Sequence, residues 1–114
     1  QPHYLEKFRT ALEYEHCHDL KLALDIAENL NCYDFCPALD VEKFGQEELK
    51  HWGGIIDHNP LLAGQIDLKA YGEMMLEQEG YELNAGETAY IRHNGQKFYY
   101  EYSEPRPEYD ITMQ

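Results

Sequence analysis

The stretch DLKAYGEMMLEQEGYELNAGETAYIR, Asp67 to Arg92, changes its period once and so decides the fold class. Asp67 is placed to cap a helix over Leu68–Glu79, and Gly80 is the left-handed residue that ends such a helix. Beyond Gly80 the spacing turns from helical to alternating. Tyr81–Asn84, Thr88–Arg92 and Lys97–Tyr102 read as strands. Asn94-Gly95 predicts a tight hairpin between the last two, with Phe98, Tyr100 and Tyr102 on one face and Lys97, Tyr99 and Glu101 on the other.

Upstream of this stretch the pattern is helical with one extended interruption. Pro2 suits the first position of a helix in which Leu5, Phe8 and Leu12 recur through about Tyr14. Glu15 to His18 breaks that period, and Asp19 is the expected cap of a second helix. There Leu20, Ala23, Leu24, Ala27 and Leu30 predict one apolar stripe, widened by Leu22 and Ile26, with Asn29 and Asn31 at its end. Cys32–Leu39 reads as extended, since Tyr33 and Phe35 favour strands and the residue before Pro37 avoids helix. Asp40 is the expected cap of a third helix, with Val41, Phe44 and Leu49 inward and Glu42, Glu47 and Glu48 outward, stopped by Gly53-Gly54. Ile55–Gly64 reads as a loop with one helical turn at Pro60–Leu62. The expected fold is α+β: about four helices followed by a short antiparallel β-hairpin or three-stranded sheet. Residues 1–103 form a single acidic domain in this reading, and 104–114, with Pro105 and Pro107, a C-terminal tail.

Charge bounds the function. The chain has 114 residues, with 22 acids against 9 Lys and Arg, a net charge of -13. Such a surface repels nucleic acid and anionic lipid and attracts basic surfaces, including the phosphate-binding clefts of nucleic-acid enzymes. Aromatic residues make up 13% of the chain, enough to argue for a packed fold over disorder. With a mean hydropathy of -0.70, it contains no apolar run long enough to span a bilayer. No signal peptide is expected, and the opening Gln1 suggests a piece of a longer protein. Three cysteines outside any disulfide-framework spacing fit a reducing cytoplasm.

Motifs for catalysis are missing. Gly53-Gly54 and Gly64 make neither a dinucleotide fingerprint nor a P-loop. Ser103 is the only serine and lies in no nucleophile elbow. Cys17 between His16 and His18 has no orienting third group, and Cys36 before Pro37 reads as a buried thiol. His16, Cys17, His18, Cys32 and Cys36 can be combined into a zinc set, but two buried thiols and exposed histidines explain the same residues. Glu47-Glu48, Glu77 with Glu79, and Asp19 with Asp25 carry no motif that assigns acid and base roles. No cofactor and no metal are expected, and the chain is not read as an enzyme.

The arrangement of the acids says more. Glu73 and Glu77 stand one turn apart on the fourth helix, about 5–6 Å between β-carbons, a spacing that costs a few tenths of a kcal/mol in repulsion. That separation is close to that of neighbouring phosphates on one strand of nucleic acid. With Glu79, Glu82, Glu87 and the outward acids of the third helix, a phosphate-like array becomes available. A merely solvated surface would intersperse lysines. The ten tyrosines fit either a binding surface or half-buried strands.

Three groups of residues carry a family resemblance. Ile66-Asp67-Leu68-Lys69-Ala70-Tyr71-Gly72, then Glu79-Gly80-Tyr81 and Thr88-Ala89-Tyr90-Ile91, resemble the C-terminal part of ArdA-type antirestriction proteins. Ala23–Leu30 with Tyr33-Asp34-Phe35, and Phe44-Gly45-Gln46-Glu47-Glu48-Leu49, are similar to upstream segments of the same family. The resemblance runs from about Leu20 to Arg92. The family's additional N-terminal domain, with its Y-N-x-G-x-x-x-G-x-W segment, has no counterpart here, and Glu73 stands where the family usually has arginine.

The resemblance implies an acidic, non-enzymatic DNA mimic of the kind carried by conjugative elements. Such proteins occupy the DNA-binding cleft of type I restriction-modification enzymes. A shortened module could equally serve against a CRISPR nuclease, and part of the apolar surface would be free for a homodimer interface. The candidate partner-binding acids are Glu42, Glu47, Glu48, Glu73, Glu77 and Glu79, with Asp40 and Asp67 assigned to helix caps. The expected partner is a basic cleft, with no direct nucleic acid and no membrane. The alternative is a protein-protein interaction or dimerisation module of a larger mobile-element protein, using the aromatic hairpin face.

Overall fold

The computed structural model describes residues 3–52, 61 and 64–105. The expected stop at Gly53-Gly54, the turn at Pro60–Leu62 and the tail from 106 onward lie outside these residues. Described in chain order are α1 (Tyr4–Tyr14), α2 (Leu20–Glu28), β1 (Tyr33–Pro37), α3 (Val41–Leu49), α4 (Leu68–Gln78), β2 (Glu82–Leu83) and β3 (Ala89–His93). Short 3-10 turns at Leu30–Cys32 and Ala38–Asp40 flank β1, and another at Lys50–Trp52 follows α3. The strands form one sheet in the order β1-β3-β2. The fold is α+β with an antiparallel sheet. Glu82 pairs with Ile91 and Leu83 with Tyr90, while Asn94 N–H donates to Cys32 O and Ala38 N–H to Thr88 O at the two ends of the β1–β3 pair.

The chain divides into two compact units, residues 1–34 with 93–114 and residues 35–92, the boundaries falling within β1 and β3. In the first unit Ala11, Leu22, Ile26, Leu30, Cys32 and Tyr33 are buried. In the second, Cys36, Val41 and Leu76 form the core, with Phe44, Tyr81 and Tyr90 packed against it. There α3 and α4 meet backbone to backbone: a β-carbon on Gly45 would stand 2.3 Å from Leu68 O, and one on Gly72 2.3 Å from Val41 O. Only glycine permits that approach.

The helix caps follow the sequence. Asp19 accepts from Leu22 N–H at 2.8 Å and Asp67 from Ala70 N–H at 3.1 Å, each satisfying a first-turn donor that the helix leaves open. Gly80, at φ 89°, ends α4 in a Schellman motif: Gly80 N–H donates to Glu77 O and Tyr81 N–H to Leu76 O. Asp40 holds the cap position of α3 but makes no side-chain cap bond. The preceding 3-10 turn leaves it at ψ 5°, outside the extended region from which a cap side chain reaches back.

Two expectations are corrected. The stripe of α2 is rotated: Leu20 is 74% exposed and Leu24 41%, while Leu22, Asp25, Ile26 and Asn29 face inward. The reason is Asp25, whose buried carboxylate binds backbone and turns the helix to bring it inside. Lys97–Tyr102 is not a strand, and the hairpin lies elsewhere. The turn joining β2 to β3 is built by Asn84, whose Oδ1 accepts from Thr88 N–H at 2.8 Å and Ala89 N–H at 3.2 Å. At Asn94-Gly95 the chain does turn, with Gly95 at φ 87°. The Asn94 amide, however, donates to Asn31 O and Asp34 Oδ1, and the chain beyond runs along α2 and its following turn.

Candidate functional site

The six candidate acids all fall in the second unit and divide into two groups. Glu42 and Glu47 on α3 and Glu73 and Glu77 on α4 are exposed. Glu47 is tied to Lys50 at 3.0 Å, whereas no ion pair joins Glu42, Glu73 or Glu77 to a cation among the described residues. Tyr90 on β3 lies within the field of Glu73, Glu77 and Glu87. Burial first, and then these carboxylates, raise its pKa, since each disfavours a phenolate. The structure therefore places Glu73, Glu77 and Glu87 within electrostatic range of one half-buried tyrosine. The sequence already set Glu87 in one array with Glu73 and Glu77, and in the structure it joins them through the β2–β3 turn, where it holds φ 55°.

Glu48 and Glu79 are placed differently. Both are half-buried, and they hydrogen-bond to each other across the α3–α4 pair, which, with burial, pushes the Glu79 carboxyl upward. Arg92 reaches the same spot, 3.8 Å from Glu79 Oε1, with its guanidinium donating to Glu79 O and lying 4.5 Å from the centre of the Tyr81 ring. His51 stands 4.0 Å from Glu48. These two acids are engaged with each other, with Arg92 beside Glu79 and the His51 imidazole beside Glu48, leaving Glu42, Glu73 and Glu77 as the acids of the six with no cation paired to them among the described residues.

The first unit holds a second arrangement, organised by Asp25. Its fully buried carboxylate accepts from the N–H groups of Glu101 (2.9 Å), Tyr102 (3.0 Å) and Ser103 (2.8 Å), and from the Ser103 hydroxyl (2.5 Å). Burial alone would raise its pKa. The Ser103 hydroxyl and the three backbone donors outweigh that, and the net direction is downward. One turn on, Asn29 accepts from Tyr99 N–H and donates to Tyr99 O, both at 3.0 Å. The sequence carried a signal for this pair, two polar residues four apart along one side of α2 and its C-terminal cap, which a stripe drawn through Leu20 and Leu24 passes over.

Around this clamp lies an open cleft of about 670 Å³ lined by His16, His18, Lys21, Tyr102 and Glu104 among others. Tyr33 OH and His93 Nε2 converge on Glu15 Oε2, at 2.5 and 2.8 Å, and burial, followed by the carboxylate, raises the Tyr33 pKa. The three cysteines are free thiols. Cys17 donates to Asp19 O and Cys32 to Lys97 O. Burial holds Cys32 above the ordinary thiol value and pushes Cys36 up to about 11, which suppresses thiolate chemistry at both. Among the described residues no group of three or more His, Cys, Asp or Glu side chains is arranged to hold a metal ion. No helix among them is long and apolar enough to cross a membrane.

No protein-family model matches the chain, and no curated protein and no solved structure matches it either.

Proposed function

We propose that this protein is a non-enzymatic, ArdA-like DNA mimic that blocks the basic nucleic-acid cleft of a defence enzyme, a type I restriction-modification enzyme or a CRISPR nuclease. The observation that carries the reading is that Glu73, Glu77 and Glu87, all within electrostatic range of Tyr90, have no ion pair with a cation among the described residues. Unneutralised carboxylates at phosphate-like spacing on a rigid helix reproduce the charge, and an adjacent aromatic adds contact area at little entropic cost. Glu42 extends the array on α3, which the glycine contact fixes against α4. The acids of the whole chain divide equally between the two units, so the field reaches beyond these helices. The setting is a mobile element and a reducing cytoplasm, in keeping with three free thiols.

The test is competition. Purified protein is titrated against labelled duplex DNA bound to each enzyme across a salt series. Displacement that fades with salt, and that weakens at least tenfold in the triple variant Glu42→Gln, Glu73→Gln, Glu77→Gln, is the expected result. Displacement by the triple variant equal to that of the wild type removes the mimicry reading.

A further inference from the structure

The outward face of α2 has no function in the reading above. Leu20, Leu24 and Glu28 succeed one another at four-residue intervals along it, a row about 12 Å long. Leu20 and Leu24 are 74% and 41% exposed, so two large aliphatic side chains stand side by side in water. The row ends on charge. Tyr102, held beside α2 by the Asp25 clamp, donates its hydroxyl to Glu28 Oε2 at 3.2 Å. Glu101 hydrogen-bonds to Glu28 as well, a contact between two carboxyls that raises the Glu101 pKa and that a cation would relieve. Among the described residues neither glutamate has an ion pair with a cation.

We infer that the Leu20–Leu24–Glu28 face, completed by Tyr102 and Glu101, is a docking surface for a basic amphipathic helix of a partner protein, with apolar side chains on Leu20 and Leu24 and a Lys or Arg at Glu28 and Glu101. Charge selects this occupant. A basic helix supplies the missing cation and removes the like-charge contact, whereas a second copy packed with its α2 parallel would bring four carboxylates together at the end of the row. The geometry is suited to a helix, because two turns of partner carry apolar residues at the spacing of Leu20 and Leu24 and a cation one turn on. The clamp makes the surface rigid in advance: Asp25 and Asn29 fix residues 99–103 from the inner side of the same helix, so Glu101 and Tyr102 are in place before a partner arrives.

The experiment uses the full chain and three fluorescein-labelled helical peptides of Leu, Lys and Ala. One has its leucines on a single face with flanking lysines, one is the same composition scrambled to destroy the face, and one has glutamate in place of lysine. Fluorescence anisotropy is expected to show the patterned basic peptide binding at least tenfold tighter than either control. Leu20→Gln with Leu24→Gln, both at exposed positions that glutamine keeps helical, is expected to lose at least tenfold, and Glu28→Gln with Glu101→Gln to weaken binding and flatten its salt dependence. Glu73→Gln with Glu77→Gln is expected to leave it unchanged, which separates this surface from the DNA-mimic reading. Equal binding of the scrambled peptide, or retention by the Leu20/Leu24 variant, overturns the inference. So does a wild-type dimer in sedimentation that the Leu20/Leu24 variant abolishes, because it assigns the face to a second copy.

Discussion

Helices α1 and α4 end in the same hydrogen-bond pattern with different residues. After α4, Gly80 takes the left-handed position; after α1, His16 takes it at φ 52°, with His16 N–H on Glu13 O and Cys17 N–H on Leu12 O. At its helix end and its helix crossing the second unit uses glycine, Gly80 at the first and Gly45 and Gly72 at the second, while Glu87 holds φ 55° in its β2–β3 turn. In the first unit, apart from Gly95 at φ 87°, polar side chains carry these roles. Asp25, Asn29 and Asn94 take hold of the backbone of other segments, and a histidine stands where glycine would be unstrained. One unit is held by the fit of backbones, the other by side chains that replace a ladder.

The contrast is broken most severely at the crossing. Gly72→Val puts atoms within 2.3 Å of a backbone oxygen that no rotamer change can move away. A loss of about 3 kcal/mol is expected, since α3 and α4 must separate. Denaturant unfolding measures it, and hydrogen exchange should show the opening in amides of residues 35–92. A loss below about 1 kcal/mol would mean that the helices are not locked by backbone contact.

Asp25 is the corresponding point of the first unit. Asp25→Ala leaves three N–H groups and a hydroxyl without their acceptor and is expected to cost about 2 kcal/mol, with faster exchange at residues 101–103. The pH dependence has a fixed sign. Because folding lowers this pKa, the stabilisation is fully present above the unfolded value of about 3.9 and is lost as pH falls through the folded value. The stability curves of wild type and Asp25→Asn should therefore lie apart at pH 7 and converge in acid. Parallel curves would show that the carboxylate is not held as an anion.

A smaller effect sharpens the helix ends. No atom lies within 4 Å of a β-carbon built on Gly80, so Gly80→Ala loses about 1 kcal/mol by conformation alone. His16→Gly should run the other way, gaining about 0.5 kcal/mol once the added freedom of the unfolded chain is subtracted. Both are read from thermal or denaturant midpoints, and a destabilised His16→Gly would show that the imidazole makes contacts worth more than the strain.

The same contrast explains what the sequence made legible. Asp19, Asp67 and Gly80 could be read because a cap is a local decision between a side chain and the next turn. The crossing of Gly45 and Gly72 could not, since each glycine acquires its meaning from a helix distant in the chain. Lys97–Tyr102 alternates like a strand, and nothing local distinguishes a ladder from the side chains of Asp25 and Asn29, which supply acceptors and donors in its place. On α2, apolar residues lie on nearly every side, so periodicity could not choose a face, and one buried carboxylate decided it. At the candidate site, spacing brought Glu73 and Glu77 together. The approach of Glu87 and the pairing of Glu48 with Glu79 are products of tertiary contact.

That last pairing supplies the smallest test. Glu48 and Glu79 face each other with Arg92 and His51 nearby, and the hydrogen bond from Glu48 keeps the Glu79 pKa above its ordinary value. A carboxyl whose pKa rises on folding contributes stability below its unfolded pKa and loses it as pH climbs through the folded one. As the pH climbs through the folded Glu79 pKa the pair becomes a like-charge contact, relieved in part by Arg92. Glu48→Gln removes one charge and keeps a hydrogen-bond donor for Glu79, and is expected to gain about 0.5 kcal/mol at pH 7. The gain should shrink as the pH is lowered through the folded Glu79 pKa, where that carboxyl takes up its proton. Urea unfolding at pH 7 and pH 4 measures the difference. A variant less stable than wild type at pH 7 would mean that Glu48 contributes more through its other neighbours than it costs by repelling Glu79, making the second unit as dependent on polar side chains as the first.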